Sequence, residues 1–177
     1  YIDSIREELL KSDYVVMQHE IPAETVEYVV NLCYENGIKV VLNPAPAREV
    51  KREVLDKITW LTPNEHEAKI LFGADTKTKD LLKEYPEKLV ITLGSDGVAA
   101  AKKDGTVIHV PVRPAKVVDT TGAGDTLNGA FCTMLAESED LENALRFANT
   151  AASLSTEKFG AQTGMPTREE VELELKK

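Results

Sequence analysis

The sequence predicts an α/β protein with three layers, α/β/α, in which helices cover both faces of a mostly parallel sheet. Short apolar runs alternate with segments of helical periodicity, and the apolar runs are continuous, as in strands that are buried on both faces. The 177 residues, 42% of them apolar, suffice for a hydrophobic core without disulfides or metals. No repeat or low-complexity linker interrupts the pattern, so we expect a single domain over residues 1–177.

The part of the chain up to residue 93 alternates between predicted strands and helices. Val26, Val29 and Cys33 have the i, i+3, i+7 spacing of one helix face, and Gly37 follows where that helix should end. Apolar runs predict strands at 14–18, 39–43, 59–61 and 88–93, and helical spacing predicts helices at 22–36, 48–57, 64–72 and 78–85.

The remainder of the chain is predicted to hold one hairpin and then helices only. Asp104 and Gly105 separate two apolar runs, and this dipeptide is typical of a two-residue hairpin turn. Thr167 and Glu170 have the spacing of a capping box, which marks the start of the last helix. The predicted strands cover 98–103 and 106–110, and the predicted helices cover 124–136, 141–158 and a segment from 167 onward.

The acidic composition argues against several classes of partner. The chain has 21 basic and 30 acidic side chains, a formal charge of −9, whereas nucleic acids and anionic membranes require a positive surface. No apolar run approaches the ~20 residues of a membrane span, and the first residues lack a signal-peptide pattern. Cys33 and Cys132 lie far apart in helical patterns, which indicates reduced core thiols. We therefore expect a cytoplasmic protein with no nucleic-acid or membrane partner.

The strongest candidate site is the run of small residues before the helix at 124–136. In Gly122, Ala123 and Gly124, the backbone N–H groups can approach an anion, and the following helix points its positive end to the same place. Two interpretations of Asp125 stay open. It is either the N-cap of the helix or a general base that takes a proton from a hydroxyl attacking a phosphoryl group.

Two other phosphate-binding motifs are excluded. Gly124 and Gly129 have the glycine spacing of a Walker A loop, but Ala130 and Phe131 follow where that loop needs Lys and Ser or Thr. The dinucleotide fingerprint fails because Leu127 stands at its last glycine position. An NAD-dependent oxidoreductase on a similar sheet is therefore a weak alternative.

Residues 119–126, which read Asp-Thr-Thr-Gly-Ala-Gly-Asp-Thr, resemble the C-terminal signature of the ribokinase-like carbohydrate kinases, the PfkB family. Residues 43–47, 62–68, 92–97 and 159–162 agree with the same family in order and context. The resemblance implies a ribokinase-like fold and an ATP-dependent transfer of phosphate to a primary hydroxyl of a sugar. Within the family, residues 43–47 and 160–162 point to D-ribose as substrate and ribose 5-phosphate as product. Fructose, 2-keto-3-deoxygluconate and nucleosides are the alternatives.

The resemblance assigns catalytic and substrate roles residue by residue. It implies that Asp125 is the catalytic base, which contacts the sugar hydroxyl, and that the amides of Gly122, Ala123 and Gly124 form the anion hole. Glu20 matches a carboxylate that contacts a sugar hydroxyl, although it could also be a charged residue of a strand-to-helix loop.

The resemblance also implies positions for ATP and for two cations, Mg²⁺ and K⁺. Glu67 matches the residue that holds Mg²⁺ through water, and its alternative is a solvated helix face. Two nucleotide positions have alternatives too, since residues 94–97 could form an ordinary turn and Asn149 could lie on an exposed helix face. The ATP-binding positions are matched by Asn64, Thr92, Gly94, Ser95, Gly97, Gly124 and Asn149. The potassium positions are matched by Asp119, Thr121, Ser155, Lys158, Gly160 and Gly164, the last of which replaces a hydroxyl found in some relatives.

Complete members of the family are longer than this chain. The resemblance implies that the N-terminal half is absent here, together with most sugar-binding residues, a Gly-Gly segment and a β-sheet lid through which the complete protein forms a homodimer. We therefore expect the C-terminal, ATP- and phosphate-binding part of a sugar kinase. The competing hypothesis is a non-catalytic nucleotide-binding fragment.

Overall fold

The structure, a computed structural model, describes residues 1–137 and 140–177. The chain forms two compact units, each of which is described by itself. The first unit comprises residues 1–92 and 100–107, and the second comprises residues 93–99 and 108–177. The expectation of a single domain stays a prediction.

The first unit begins with a 3₁₀ turn and then alternates helices and strands, close to the predicted order. Its strands include β1 (Tyr14–Gln18), β2 (Lys39–Asn43), β3 (Trp60–Leu61) and β4 (Val90–Thr92), and its helices are α1 (Arg6–Leu9), α2 (Ala23–Glu35), α3 (Arg52–Lys57), α4 (Glu65–Phe72) and α5 (Thr78–Glu84).

Strands β1, β2 and β3 form a parallel sheet in that order. Tyr14 pairs with Lys39, Val41 pairs with Trp60, and the register continues without a bulge through the five pairs of β1 and β2. Val40 and Val41, whose side chains point to opposite faces, are both fully buried, because the two faces are covered. The predicted parallel sheet with continuous apolar strands is confirmed.

Helix α3 begins four residues later than the helix predicted from residue 48. The segment before it follows Pro44 and Pro46 and is neither helix nor strand, and its side chains bind neighbouring elements. Arg48 donates to the carbonyl oxygen of Ile21 at 2.9 Å, and Lys51 forms an ion pair of 2.8 Å with Glu27 of α2.

The hairpin has a three-residue loop, so the predicted two-residue turn is wrong. Its strands are β5 (Val98–Ala101) and β6 (Val107–Val110), and the second sheet has the order β4-β5-β6. The amide of Lys102 donates to the carbonyl oxygen of Thr106, and the amide of Gly105 donates back to Lys102. Gly105 has φ +81°, the left-handed conformation that closes a three-residue loop.

The second unit is built around two packed helices, α6 (Ala123–Ala136) and α7 (Leu141–Ser155), with α8 (Arg168–Leu175) against α7. Phe131 and Ala148 are fully buried at this core. Helix α7 ends three residues before the predicted end at 158. Helix α8 has the predicted capping box, in which Thr167 and Glu170 each bind the other's backbone N–H group.

Two further expectations concern the cysteines and the membrane. Cys33 and Cys132 are buried and free, and burial raises the pKa of both thiols, as expected for reduced core residues. None of the helices in the described residues combines the length and the hydropathy that crossing a bilayer requires.

Candidate active site

The start of α6 forms the centre of the candidate site in the second unit. Gly122 is the N-cap, with φ +78°, and Asp125 is the third residue of the helix. The interpretation of Asp125 as the N-cap is therefore wrong. Its side chain is exposed, and it lies in the first turn, where the helix dipole favours a negative charge. The amides of the first turn have no acceptors within the helix, so they can bind an anion.

The turn that carries these amides is held by hydrogen bonds to Gly122 and by close packing against Ala161. Both the amide and the hydroxyl of Thr126 donate to the carbonyl oxygen of Gly122 at 2.9 Å. A Cβ on Gly122 would lie 3.0 Å from the Cα, Cβ and carbonyl oxygen of Ala161. A larger residue therefore meets both a conformational and a steric barrier, and the turn is preorganised.

Asp119 ties the segment before α6 to the loop after α7. Its two carboxylate oxygens accept hydrogen bonds of 2.9 Å from the amides of Thr121 and Gly160. These bonds, from Thr121 first and then from Gly160, hold the pKa of Asp119 below its ordinary value. The side chain is therefore an anion beside the turn at Gly122.

Three backbone carbonyl oxygens converge in the loop after α7, and we call them the carbonyl cluster: those of Ser155, Lys158 and Gly160. A Cβ on Gly164 would lie 2.7 Å from the oxygen of Ser155, 2.8 Å from that of Gly160 and 3.5 Å from that of Lys158. Ser155 is the last residue of α7, so its carbonyl group has no further helical turn to bind, whereas the oxygen of Gly160 also accepts the amide of Gly164 at 2.8 Å. Several oxygen atoms beside one carboxylate are a suitable donor set for a hard cation. The structure thus brings together five of the six predicted potassium positions and places Thr121 against Asp119.

The predicted nucleotide loop is a 3₁₀ turn, Gly94–Asp96, closed by a hydrogen bond of 2.8 Å from the amide of Leu93 to the carbonyl oxygen of Gly97. Gly97 has φ +99°, and a Cβ there would lie 2.0 Å from the carbonyl oxygen of Val110. The loop is therefore packed tightly against the end of β6, where only glycine fits. Ser95 is exposed.

Asn149 is 6% exposed, so the alternative of an exposed helix face is wrong. Its amide nitrogen donates to the carbonyl oxygens of Val110, at 3.3 Å, and Pro111, at 2.9 Å. This side chain therefore attaches α7 to the segment after β6. Contact of Asn149 with a nucleotide stays a prediction.

The first unit brings three other predicted residues together. Asn64 caps α4 and forms a reciprocal capping box with Glu67, in which each side chain accepts the other's amide at 2.8 Å. Thr92 lies beside Asn64, and its amide donates to the carbonyl oxygen of Pro63. Glu67 is only 9% exposed, so the alternative of a solvated helix face is wrong. A single carboxylate is compatible with Mg²⁺, which retains several water ligands.

Glu20 is exposed in the loop after β1, at the edge where ligands bind in parallel sheets. The neighbouring His19, to which the sequence assigns no role, is 5% exposed. Its Nδ1 lies 3.3 Å from the carbonyl oxygen of Pro46, which can only accept, so this nitrogen carries the proton. Burial and then the charge of Arg48 lower the pKa of His19. No sequence pattern marked this histidine, because its partners follow the next strand.

Clusters of three or more His, Cys, Asp or Glu side chains that could bind a metal are absent from residues 1–137 and 140–177. The candidate site offers backbone oxygens and single carboxylates, which water can supplement. This set is compatible with Mg²⁺ at Glu67 and with a monovalent cation at the carbonyl cluster.

Comparison with known proteins gives consistent matches. Residues 3–168 match the model of the pfkB family carbohydrate kinases. The chain is 55% identical over 168 residues to a ribokinase of Bacillus subtilis, and the aligned region covers 94% of this chain and 56% of that protein. It is 46% identical over 177 residues to a ribokinase of Lactococcus lactis, with 99% of this chain and 58% of that protein covered.

Solved structures give the same result for the fold. A ribokinase of Arabidopsis thaliana, complexed with ribose and ATP, matches with a TM-score of 0.89 and 34% identity, over 98% of this chain and 59% of that one. A ribokinase of Thermotoga maritima matches with a TM-score of 0.85 and 36% identity, over 97% and 59%. The predicted α/β fold class is confirmed, and the chain spans somewhat more than half the length of these relatives.

Proposed function

Because the chain belongs to the pfkB family of carbohydrate kinases, we propose that it carries the phosphoryl-transfer machinery of an ATP-dependent sugar kinase whose substrate is D-ribose. The observation that carries the proposal is the start of α6, where exposed Asp125 stands in the first turn beside the amides that follow Gly122. A carboxylate next to an anion-binding turn is the arrangement that transfer of a phosphoryl group to an alcohol requires. The product would be ribose 5-phosphate.

In this proposal Asp125 accepts the proton of the primary hydroxyl while the hydroxyl oxygen attacks the γ-phosphoryl group of ATP and ADP leaves. The amides of Gly122, Ala123 and Gly124 then bind the negative charge that develops on the transferred group. One of them is partly engaged, because the Ala123 amide donates to the carbonyl oxygen of Thr120 at 3.2 Å. We therefore expect Gly124 to contribute more than Ala123. Glu20 would orient the sugar.

The cations have residues that suit them. When bound, Mg²⁺ neutralises charge on the phosphates, and Glu67 would hold it through water while Asn64 orients the capping box. Asp119 and the carbonyl cluster would hold K⁺, whose positive charge would help to order the glycine turn. Gly164 supplies no hydroxyl, so water or another carbonyl oxygen would have to complete the ligand set. ATP would contact the predicted positions given above, among them Thr92 and Gly97.

The test compares Asp125→Asn with the unchanged protein, in the full-length polypeptide encoded by the gene. We expect kcat for ribose-dependent ADP formation to fall by about 10²–10⁴, the usual contribution of a general base, with nucleotide affinity nearly unchanged. Asp140→Asn is the matched control, because Asp140 is the N-cap of α7 and Asn caps equally well. Near-normal turnover of Asp125→Asn would refute the mechanism.

The substrate is tested with a panel of ribose, deoxyribose, fructose, 2-keto-3-deoxygluconate and nucleosides. Deoxyribose belongs in the panel because a deoxyribokinase of Salmonella typhi is 35% identical to this chain. The highest kcat/KM for ribose supports the proposal, and a clear preference for another sugar would reassign the substrate within the family.

A second candidate function is nucleotide binding without catalysis by the 177-residue chain itself. The observation that favours it is the coverage, since the chain spans 56% of the Bacillus subtilis relative. Calorimetric titration with ATP, beside an ADP-release assay of the same chain, separates the two. Binding without turnover supports this second function, whereas ribose-dependent turnover refutes it.

A further inference from the structure

An ion-paired cluster in the second unit lies beside the segment that carries the carbonyl cluster. We call it the Arg113 cluster, and it consists of Arg113, Glu157 and Glu174. Nη2 of Arg113 lies 2.9 Å from Oε1 of Glu157, and Nη1 lies 3.7 Å from Oε1 of Glu174. Its side chains are 20%, 33% and 20% exposed, in that order. It is thus better shielded from solvent than most ion pairs of the described residues.

The cluster connects three elements of the second unit. Arg113 belongs to the segment between β6 and α6, Glu157 follows the end of α7, and Glu174 lies in the last turn of α8. Nη1 of Arg113 also donates to the carbonyl oxygen of Pro114 at 3.0 Å, which fixes the direction of the guanidinium. Contact between Nη2 and Glu157 is an ion pair without hydrogen-bond alignment. A planar, always charged guanidinium is suited to hold two carboxylates at fixed positions.

Glu157 lies between two residues that matter for the cation site. The carbonyl oxygen of Thr156 accepts the amides of Val118, at 2.8 Å, and Asp119, at 3.1 Å. On its other side, Lys158 contributes to the carbonyl cluster. The segment 111–119 contains neither helix nor strand, so these contacts and Arg113 hold it to the loop after α7.

We propose that Arg113, through Glu157 and Glu174, positions the carbonyl cluster and Asp119 and thereby sets the affinity of this site for a monovalent cation. Arg113 is a positioning residue in this account, since its guanidinium is positively charged and binds no cation itself. The inference rests on the proposed function for the identity of the cation site. It adds a determinant that sequence patterns do not mark.

The direction of the effect separates positioning from simple electrostatics. Arg113 is positive and repels a cation, so removal of its charge would strengthen cation binding if charge alone mattered. Loss of positioning would weaken cation binding, because the loop after α7 would have to become ordered when the cation binds, and this ordering costs free energy. Weaker binding after removal of a positive charge is therefore the specific signature of the proposed role.

The experiment measures thallium(I) binding to the full-length polypeptide by thallium NMR, with competition by KCl and with choline chloride keeping the ionic strength constant. For Arg113→Gln we expect the dissociation constants of thallium and potassium to rise about three- to tenfold, the range for losing the order of one long side chain. Arg113→Lys, which keeps the charge but not the planar fork, should give an intermediate value.

Two further variants complete the design. Glu157→Gln should weaken binding, and the double variant with Arg113→Gln should be no weaker than the more affected single variant, because both break the same contact. Arg146→Gln is the matched control, since Arg146 pairs with Glu142 on the exposed face of α7. Its dissociation constants should not change.

Equal or tighter binding by Arg113→Gln would overturn the inference, as would additive effects in the double variant. Absence of thallium binding to the unchanged chain would overturn it too. None of these results depends on turnover, so the proposed function is judged separately by Asp125→Asn. If Arg113→Gln fails to fold, Arg113→Lys decides: unchanged affinity in a folded protein refutes the positioning role.

Discussion

Gly122 offers a quantitative test of the turn at the start of α6. A methyl group at this position has two costs. The left-handed conformation with φ +78° disfavours an L side chain, and the added Cβ would approach three atoms of Ala161 at 3.0 Å. Part of this is offset because alanine restricts the unfolded chain more than glycine does. For Gly122→Ala we expect the free energy of unfolding to fall by about 2–4 kcal/mol.

The assay is urea unfolding of the 177-residue chain, with Gly129→Ala as the matched control. Gly129 lies inside α6, and a Cβ there would meet no atom within 4 Å. That variant should be stabilised by about 0.5–1 kcal/mol, because glycine is unfavourable inside a helix. Ala161→Gly combined with Gly122→Ala should recover part of the loss, since it removes one of the three contacts. If Gly122→Ala lowers the free energy of unfolding by less than about 0.5 kcal/mol, the reasoning about strain and packing is refuted.

Two remaining predictions concern the anion hole and a buried histidine. Gly124→Ala should leave the unfolding free energy within about 0.5 kcal/mol, since its Cβ meets no atom within 4 Å. It should nevertheless lower kcat in the full-length polypeptide, because the methyl group adds bulk to the turn at which the phosphate is proposed to bind. A lowered kcat accompanied by a clearly lowered free energy of unfolding would contradict this assignment. Burial lowers the pKa of His19, so the unfolded state binds a proton at this residue more readily than the folded state does. The contribution of neutral His19 to the free energy of unfolding is therefore complete above about pH 6.5, the ordinary pKa of histidine, and is lost as the pH falls below that value. In urea unfolding between pH 7.5 and 5, the free energy of unfolding of His19→Gln should fall less on acidification than that of the unchanged protein. Identical pH profiles of the two proteins would refute this explanation.

Periodicity predicted the elements that local sequence determines. Helix α2 follows from the spacing of Val26, Val29 and Cys33, and strand β2 follows from an apolar run that ends at proline. The late start of α3 arises where a distant side chain holds the backbone. Arg48 binds the carbonyl oxygen of Ile21, which lies beyond β1 along the chain, so no local pattern could indicate that α3 begins late.

The candidate site divides in the same way. Glu67 could have been placed correctly, because Asn-x-x-Glu before an apolar run is itself a capping-box pattern and predicts a carboxylate folded back onto the helix start. The burial of Asn149 was not predictable, since its acceptors, Val110 and Pro111, lie at the end of a strand far away in sequence. Arg113 was missed for the same reason.

The ends of two helices explain why an anion site and a cation site belong together in the second unit. The first turn of α6 presents backbone amides and the end of α7 presents backbone carbonyl oxygens, so the first end favours negative charge and the second favours positive charge. Asp119 lies between them and binds the amides of both Thr121 and Gly160. A cation at the carbonyl cluster would therefore pull on the same carboxylate that fixes the turn before α6. Since coupling between two sites is reciprocal, an anion that orders this turn must strengthen cation binding by the same factor by which the cation strengthens anion binding.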